Sequence, residues 1–208
     1  VELESAKAQV LKDAEVLTDL RKSYAPAFIE KLKSSVADLA LETAQFDIEF
    51  RPLDFEKMTS LGASELEILY SSSSFSSLRP LAKIASGGEL SRVMLGLKSI
   101  FGEKDTAEIL VFDEIDAGIG GATALSVGSK LAELAKTHQV LVVTHLAQVA
   151  AFANHHFVVR RSENESGTDT KVLPLKGQER IEEIARMLSG NTGAAAMEHA
   201  RELLESAK

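Results

Sequence analysis

The sequence predicts an α/β fold, a mostly parallel sheet with flanking helices, preceded by a helical arm. From residue 87 onward, amphipathic helical patterns alternate with two short, wholly apolar runs, at 109–112 and 140–143. Unbroken apolarity over such a run marks a strand covered on both faces, the usual situation in a parallel sheet. The first 24 residues instead carry Leu3, Val10, Leu17 and Tyr24 at seven-residue intervals, with Ala14 and Leu20 beside them and charges between. That is the seam of a coiled coil or of an amphipathic helix. At 208 residues, 45% hydrophobic and 26% charged, the chain has room for one sizeable core and a helical appendage.

Taken in order, the arm occupies residues 1–41 and the remaining lobe 42–208. Pro26 is expected to break the first helix and start a second, with Phe28, Leu32, Val36 and Leu39 on its face. Phe46, Ile48 and Phe50 alternate with polar residues, as do Leu66, Ile68 and Tyr70, so two half-buried strands are expected. The stretch 52–63 reads as irregular. Six serines around Phe75, in 71–77, read as a solvated loop. A helix over 89–101 presents Leu90, Val93, Met94, Leu97 and Ile100, and another over 121–136 presents Leu125, Leu131 and Leu134. Strands at 156–160 and 170–175 flank a turn around Glu163 to Gly167, and helices over 179–188 and 193–204 close the chain.

The chemistry-bearing residues sit at the ends of these elements. Ser86 precedes a helix start and can cap it, while Gly87 and Gly88 lack the Cβ atoms that would hold an anion away from the backbone amides. Asp113 and Glu114 follow the first apolar run directly, at the carboxyl end of a buried strand, where ligands of α/β sheets bind. One carboxylate there can hold a water-coordinated Mg2+ and the next can take a proton from attacking water; side-chain alternation along the strand is expected to give them different jobs. Thr144 and His145 end the second run, bringing an imidazole to the same sheet edge. Asp116, Gly118, Gly120 and Gly121 form an acidic loop, expected to be flexible, just after Glu114. These are the acids and lid of an ATP-hydrolysing site. No Gly-Lys-Ser/Thr phosphate loop accompanies them, and Gly62 alone among glycines precedes Gly87.

The run Leu81-Ala-Lys-Ile-Ala-Ser-Gly-Gly-Glu-Leu-Ser-Arg92 resembles the signature motif of the RecN family of bacterial DNA-repair ATPases, relatives of the SMC and ABC ATPases. Residues 109–114 resemble its Walker B strand, Asp116-Ala-Gly-Ile-Gly120 its D-loop, and Thr144-His145 its switch histidine. The resemblance covers essentially the whole chain and is most specific over 81–161. It implies the carboxyl-terminal lobe of an ABC/SMC-type head, with residues 1–24 as a coil strand returning to it. It further implies ATP and Mg2+ as cofactors, Glu114 as general base, His145 at the γ-phosphate and Asp113 near the metal. Ser86, Gly87, Gly88 and Glu89 would close over the nucleotide of an opposite head, with Asp116 in the cofactor site. The implied partners are an amino-terminal Walker A lobe, a second head in a homodimer, and DNA as broken ends or single strands. Without a Walker A lobe, this segment is expected not to hydrolyse ATP alone.

Charge and composition narrow the alternatives. A net charge of −8, from 31 acidic and 23 basic residues, argues against a large basic face for nucleic acid, though local patches drawn from Arg79, Lys83, Arg160, Arg161, Lys171 and Lys176 remain compatible with DNA contact. No apolar run is long enough for a membrane span, and with no cysteines the chain is expected in the cytoplasm, associated with the nucleoid. The start at Val1 without methionine suggests an excised piece. His138, His155, His156 and His199 lack metal-ligand spacing with acids, so no zinc is assigned. A transporter nucleotide-binding subunit shares the chemistry, but its Walker A would lie within roughly 100 residues upstream, where no such loop exists. A non-catalytic docking module would have no use for Ser86, Glu114 and His145 together.

Overall fold

Helix α1 (Glu2–Val36) is continuous through Pro26, which corrects the expected break at that residue. Proline removes the N–H that would serve the carbonyl of residue 22, at a cost of about 3 kcal/mol in a helix interior. Lys22 is exposed, so water can take that carbonyl. Beyond it, Ile29, Leu32 and Val36 are all buried, each worth about 1.5–3 kcal/mol, which outweighs the cost. The computed structural model describes residues 2–102, 106–164 and 167–207, with backbone alone for 162–164 and 167. Most of the seven-residue stripe faces solvent: Leu3 is 79% exposed and Tyr24 66%. The arm is held lower down, where Thr18 Oγ1 lies 3.2 Å from Ser64 Oγ and Arg21 donates to the Leu61 carbonyl at 2.7 Å.

Strands β1 (Gln45–Pro52) and β2 (Ser64–Ser71) pair antiparallel, and β3 (Arg79–Pro80) joins the far side of β2. The register places Phe46 opposite Tyr70, Ile48 opposite Ile68 and Phe50 opposite Leu66, the apolar sets that the alternation marks. The Phe46 and Tyr70 rings are tilted with centroids 5.4 Å apart, a geometry worth about 0.5–1.5 kcal/mol beyond area. The serine loop carries its own bonds, from Ser71 Oγ to the Ser73 and Ser76 carbonyls at 2.8 and 3.2 Å. Residues Val1–Ser86 form one compact unit, and both sides of the expected boundary at 41/42 lie within it.

The second unit is Gly87–Lys208. Helix α2 (Gly87–Phe101) leads to strand β4 (Ile109–Phe112), α3 (Gly121–Leu134) to β5 (Gln139–Val142). Strands β4 and β5 are parallel, with Phe112 opposite Val142. Among the described residues this pair carries the parallel pairing. The hairpin β6 (His156–Asn164) and β7 (Gly167–Leu175) is antiparallel, and residues 165–166 of the expected turn lie outside the described residues. Short α4 (Ala147–Ala150) follows β5; α5 (Gly177–Ser189) and α6 (Ala194–Ser206) close the chain. Ala147 and Ala150 of α4 pack with Ile184, Ala185, Ala196, Met197 and Ala200 of α5 and α6 in one apolar cluster.

One expectation is met on a single face only. Leu110 and Phe112 are buried, but Ile109, Val111, Leu141 and Val143 are 51–66% exposed, so this chain covers the β4–β5 sheet on one side and leaves the other open. Leu125, expected to face inward on α3, is 37% exposed. On α2 the inward set includes Leu95 and Arg92, which the apolar pattern alone did not single out.

Candidate active site

Because β4 and β5 run parallel and in register, their carboxyl ends open at one edge, with Asp113 and Glu114 after one strand and Thr144 and His145 after the other. The two acids do not owe their separation to strand alternation, as the sequence suggested. The strand ends at Phe112, and Glu114 has φ 57°, the left-handed region that a side-chain-bearing residue seldom occupies. That turn carries Glu114 back to the start of α2: a Cβ added to Gly87 would collide with Glu114 Oε2. At Gly88 a Cβ would lie 3.0 Å from the Glu114 carbonyl and 2.9 Å from the Ala117 Cβ. At Gly88 the neighbours include backbone that cannot swing aside, so glycine is needed there for the helix start and acidic loop to touch, whereas at Gly87 it lets the Glu114 carboxylate lie against the helix start.

Polar bonds from α2 fix the loop. Ser91 Oγ donates to the Asp113 carbonyl at 2.7 Å, and Arg92 Nη1 donates to the carbonyls of Ile115 at 3.2 Å and Ala117 at 2.9 Å. Arg92 is 5% exposed, so its charge is met by oriented carbonyl dipoles rather than by water. The Glu114 amide donates to Asp113 Oδ1 at 2.9 Å. Backbone strain at Glu114, of order 1–3 kcal/mol, is held by this surround, a pattern common at working sites.

Asp116 corrects the expectation of a flexible acidic loop. It is 3% exposed, and its Oδ2 accepts from Thr144 Oγ1 at 2.5 Å and from the His145 amide at 2.8 Å, with His145 Nδ1 3.0 Å away. The carboxylate can only accept, so it anchors the backbone of His145 through the amide and lies beside Nδ1 of its ring. The imidazole itself is 72% exposed. Thr144 Oγ1 in turn accepts the Leu146 amide at 3.0 Å, opening α4. Ser86 and Glu89 flank Gly87 and Gly88 in sequence; Ser86 is exposed and Glu89 half-buried.

No protein-family model matches the chain. The DNA repair protein RecN of Deinococcus radiodurans is 44% identical over 203 residues, 98% of this chain and 35% of its own length. RecN of Streptomyces coelicolor is 38% identical over the whole chain, and RecN of Bacillus subtilis 34% over 99% of it. The chain resembles RecN. It spans 35–38% of the length of these relatives. An Smc head domain with a coiled coil and joint, from Pyrococcus yayanosii, superposes with a TM-score of 0.50 at 19% identity, covering 88% of this chain and 29% of that one. The fold is thus that of an SMC-type α/β head.

Within this RecN-like segment the structure brings Gly87, Gly88, Asp113, Glu114, Asp116, Thr144 and His145 to one end of the second unit. Arg92, the last residue of the signature run and one turn beyond Gly88, also builds it through the Ile115 and Ala117 carbonyls. An arginine on the otherwise apolar face of α2 was the available signal for that role.

Proposed function

We propose that this chain supplies the acids, signature motif and switch histidine of an SMC-like ATPase head working in DNA double-strand-break repair and recombination. The observation that carries the reading is the meeting of Gly87 and Gly88 at the start of α2 with the left-handed Glu114 after β4. RecN relatives at 34–44% identity support it.

The residues fit a magnesium nucleotide. The start of α2 offers amides and a dipole to an anion. Among the described residues no group of three or more His, Asp or Glu gathers to hold a cation, so Mg2+ near Asp113 would take its other ligands from phosphate and water. Bound MgATP supplies the phosphoryl group and neutralises charge during its transfer. Glu114 accepts a proton from the attacking water, and His145, its backbone amide held by Asp116, donates a ring N–H to the terminal phosphate. Asp116 then serves as a positioning residue for Thr144 and His145. Ser86, Gly87, Gly88 and Glu89 close on the nucleotide of a second head, so that ATP joins two heads and hydrolysis parts them.

The open apolar face of β4 and β5 fits the amino-terminal Walker A lobe, because four adjacent exposed aliphatic side chains form the kind of patch that marks a protein partner. DNA, as broken ends or single strands, is the substrate of the assembled protein, which works in the cytoplasm on the nucleoid. Among the described residues no helix is long and apolar enough to cross a membrane. The chain alone should release no phosphate; mixed with a Walker A lobe it should, and Glu114→Gln should remove that activity.

A further inference from the structure

The loop that carries His145 is gripped at both ends, and the second grip comes from a residue outside every recognised motif. Asp116 holds the front, at Thr144 and His145. At the back, Arg180 on α5 reaches the end of α4. Its Nη2 donates to the Ala153 carbonyl at 2.7 Å, the Ala151 carbonyl at 3.0 Å and, at 3.5 Å, the Ala150 carbonyl. The Ala151 and Ala153 carbonyls lie just past the end of α4, while the Ala150 carbonyl also accepts the Ala153 amide at 3.2 Å; a guanidinium at this carboxyl end meets carbonyls that the short helix does not pair and sits at its negative end. Arg180 Nε is buried with no hydrogen-bond partner among the described residues, so the side-chain hydrogen bonds of the head group that hold this segment come from Nη2.

The grip is rigid along its length. Ala147, Val149, Ala150 and Ala151 are at most 5% exposed. Ala147 and Ala150 pack in the cluster that contains Ile184, one turn beyond Arg180 on the same face of α5. The Phe152 ring lies directly over Gly128 of α3, where an added Cβ would come within 2.9 Å of Cε2. Amide bonds from Ala150 to the Leu146 carbonyl and from Ala151 to the Ala147 carbonyl, at 3.1 and 2.9 Å, transmit position from one end of the segment to the other. The His145 side chain itself is 72% exposed, so packing around the ring does little to place it.

We infer that Arg180 is a positioning residue for the switch histidine: by capping the carboxyl end of α4 it sets the placement of His145, two residues ahead of that helix. This rests on the catalytic reading of His145, but the two can fail separately. The test uses Arg180→Met, which keeps the aliphatic stem and removes the donors, and Arg180→Lys, which returns a cationic donor.

In the chain itself, Arg180→Met should move or broaden the His145 ring resonances in NMR spectra. It should also raise amide exchange at residues 150–153 by roughly tenfold or more, while exchange in α2 and β1 stays at the wild-type rate. Arg180→Lys should recover most of both signals. With a Walker A lobe present, Arg180→Met should lower kcat several-fold at unchanged KM for ATP. Unaltered ring resonances and local exchange would overturn the inference. So would a rise in exchange spread evenly over α2, α3 and α6 without a change at His145, because that describes general destabilisation. Should the wild-type mixture release no phosphate, the ATPase reading fails, and the ring and exchange measurements still decide the role of Arg180.

Discussion

A methyl group on Gly88 would sit 2.9 Å from the Ala117 Cβ, 3.0 Å from the Glu114 carbonyl and 3.1 Å from the Ala117 carbonyl. Two of those neighbours are backbone, which cannot swing aside as a side chain would. Gly88→Ala should therefore push the acidic loop away from α2, at a cost of about 1–3 kcal/mol, read as a lower urea midpoint. Since Arg92 and Ser91 tie the same loop to the same helix, the strain falls on residues 113–117. At this scale the residue types at 87–88, 113–114 and 144–145 marked positions that the fold brings to one end of the second unit, but not how they are held there. Asp116 looked like part of a mobile loop because glycines surround it, whereas its partners, Thr144 and His145, lie 28 and 29 positions away, beyond any local pattern.

At the scale of elements, β6 and α5 share a titrating contact. His156 at the start of β6 is held below the usual imidazole pKa, about 6.5, first by burial and then by the positive charge of Arg180, with Glu183 opposing. Its Nδ1 is buried without a hydrogen-bond partner among the described residues. When the unfolded chain binds this proton more readily than the folded one, stability rises with pH. Acidification from above pH 6.5 towards the lower folded value should thus destabilise the second unit, and His156→Asn should remove that part of the slope in urea titrations between pH 7.5 and 5.5. Glu183 is shifted the other way for a carboxylate, lowered chiefly by its bonds to Arg186. Its contribution is complete above the ordinary carboxylate range and lost only as pH falls through its lower folded value, so the two effects separate.

Periodicity disclosed most elements because it reports which side a core lies on. The pairing of β1 with β2, both parallel strands and both final helices follow it closely. It failed at Pro26, where a local rule about the missing N–H yielded to tertiary burial of Ile29, Leu32 and Val36.

At the scale of the whole molecule, the open side of β4 and β5 is the feature that a chain of this composition should not leave in water. Unbroken apolar strands imply cover on both faces, and here Ile109, Val111, Leu141 and Val143 are left open. Val111 is 66% exposed, so Val111→Asp should leave the thermal melt of the chain nearly unchanged. It should weaken association with a Walker A lobe by at least about tenfold, since burying an unpaired carboxylate is costly. Equal affinity of the two chains by titration calorimetry would mean that the lobe sits elsewhere.

If the acids and signature of this chain complete a nucleotide site begun by another stretch of protein, the two parts together should hydrolyse ATP where neither does alone. The most direct measurement is phosphate release from ATP and Mg2+ by this chain mixed with a separately expressed RecN Walker A lobe, with wild-type Glu114 and with Glu114→Gln. Neither part alone should release phosphate, the mixture should release it steadily, and the glutamine should lower that rate about a hundredfold or more. An inert mixture, or equal rates with Glu and Gln at 114, would contradict that reading.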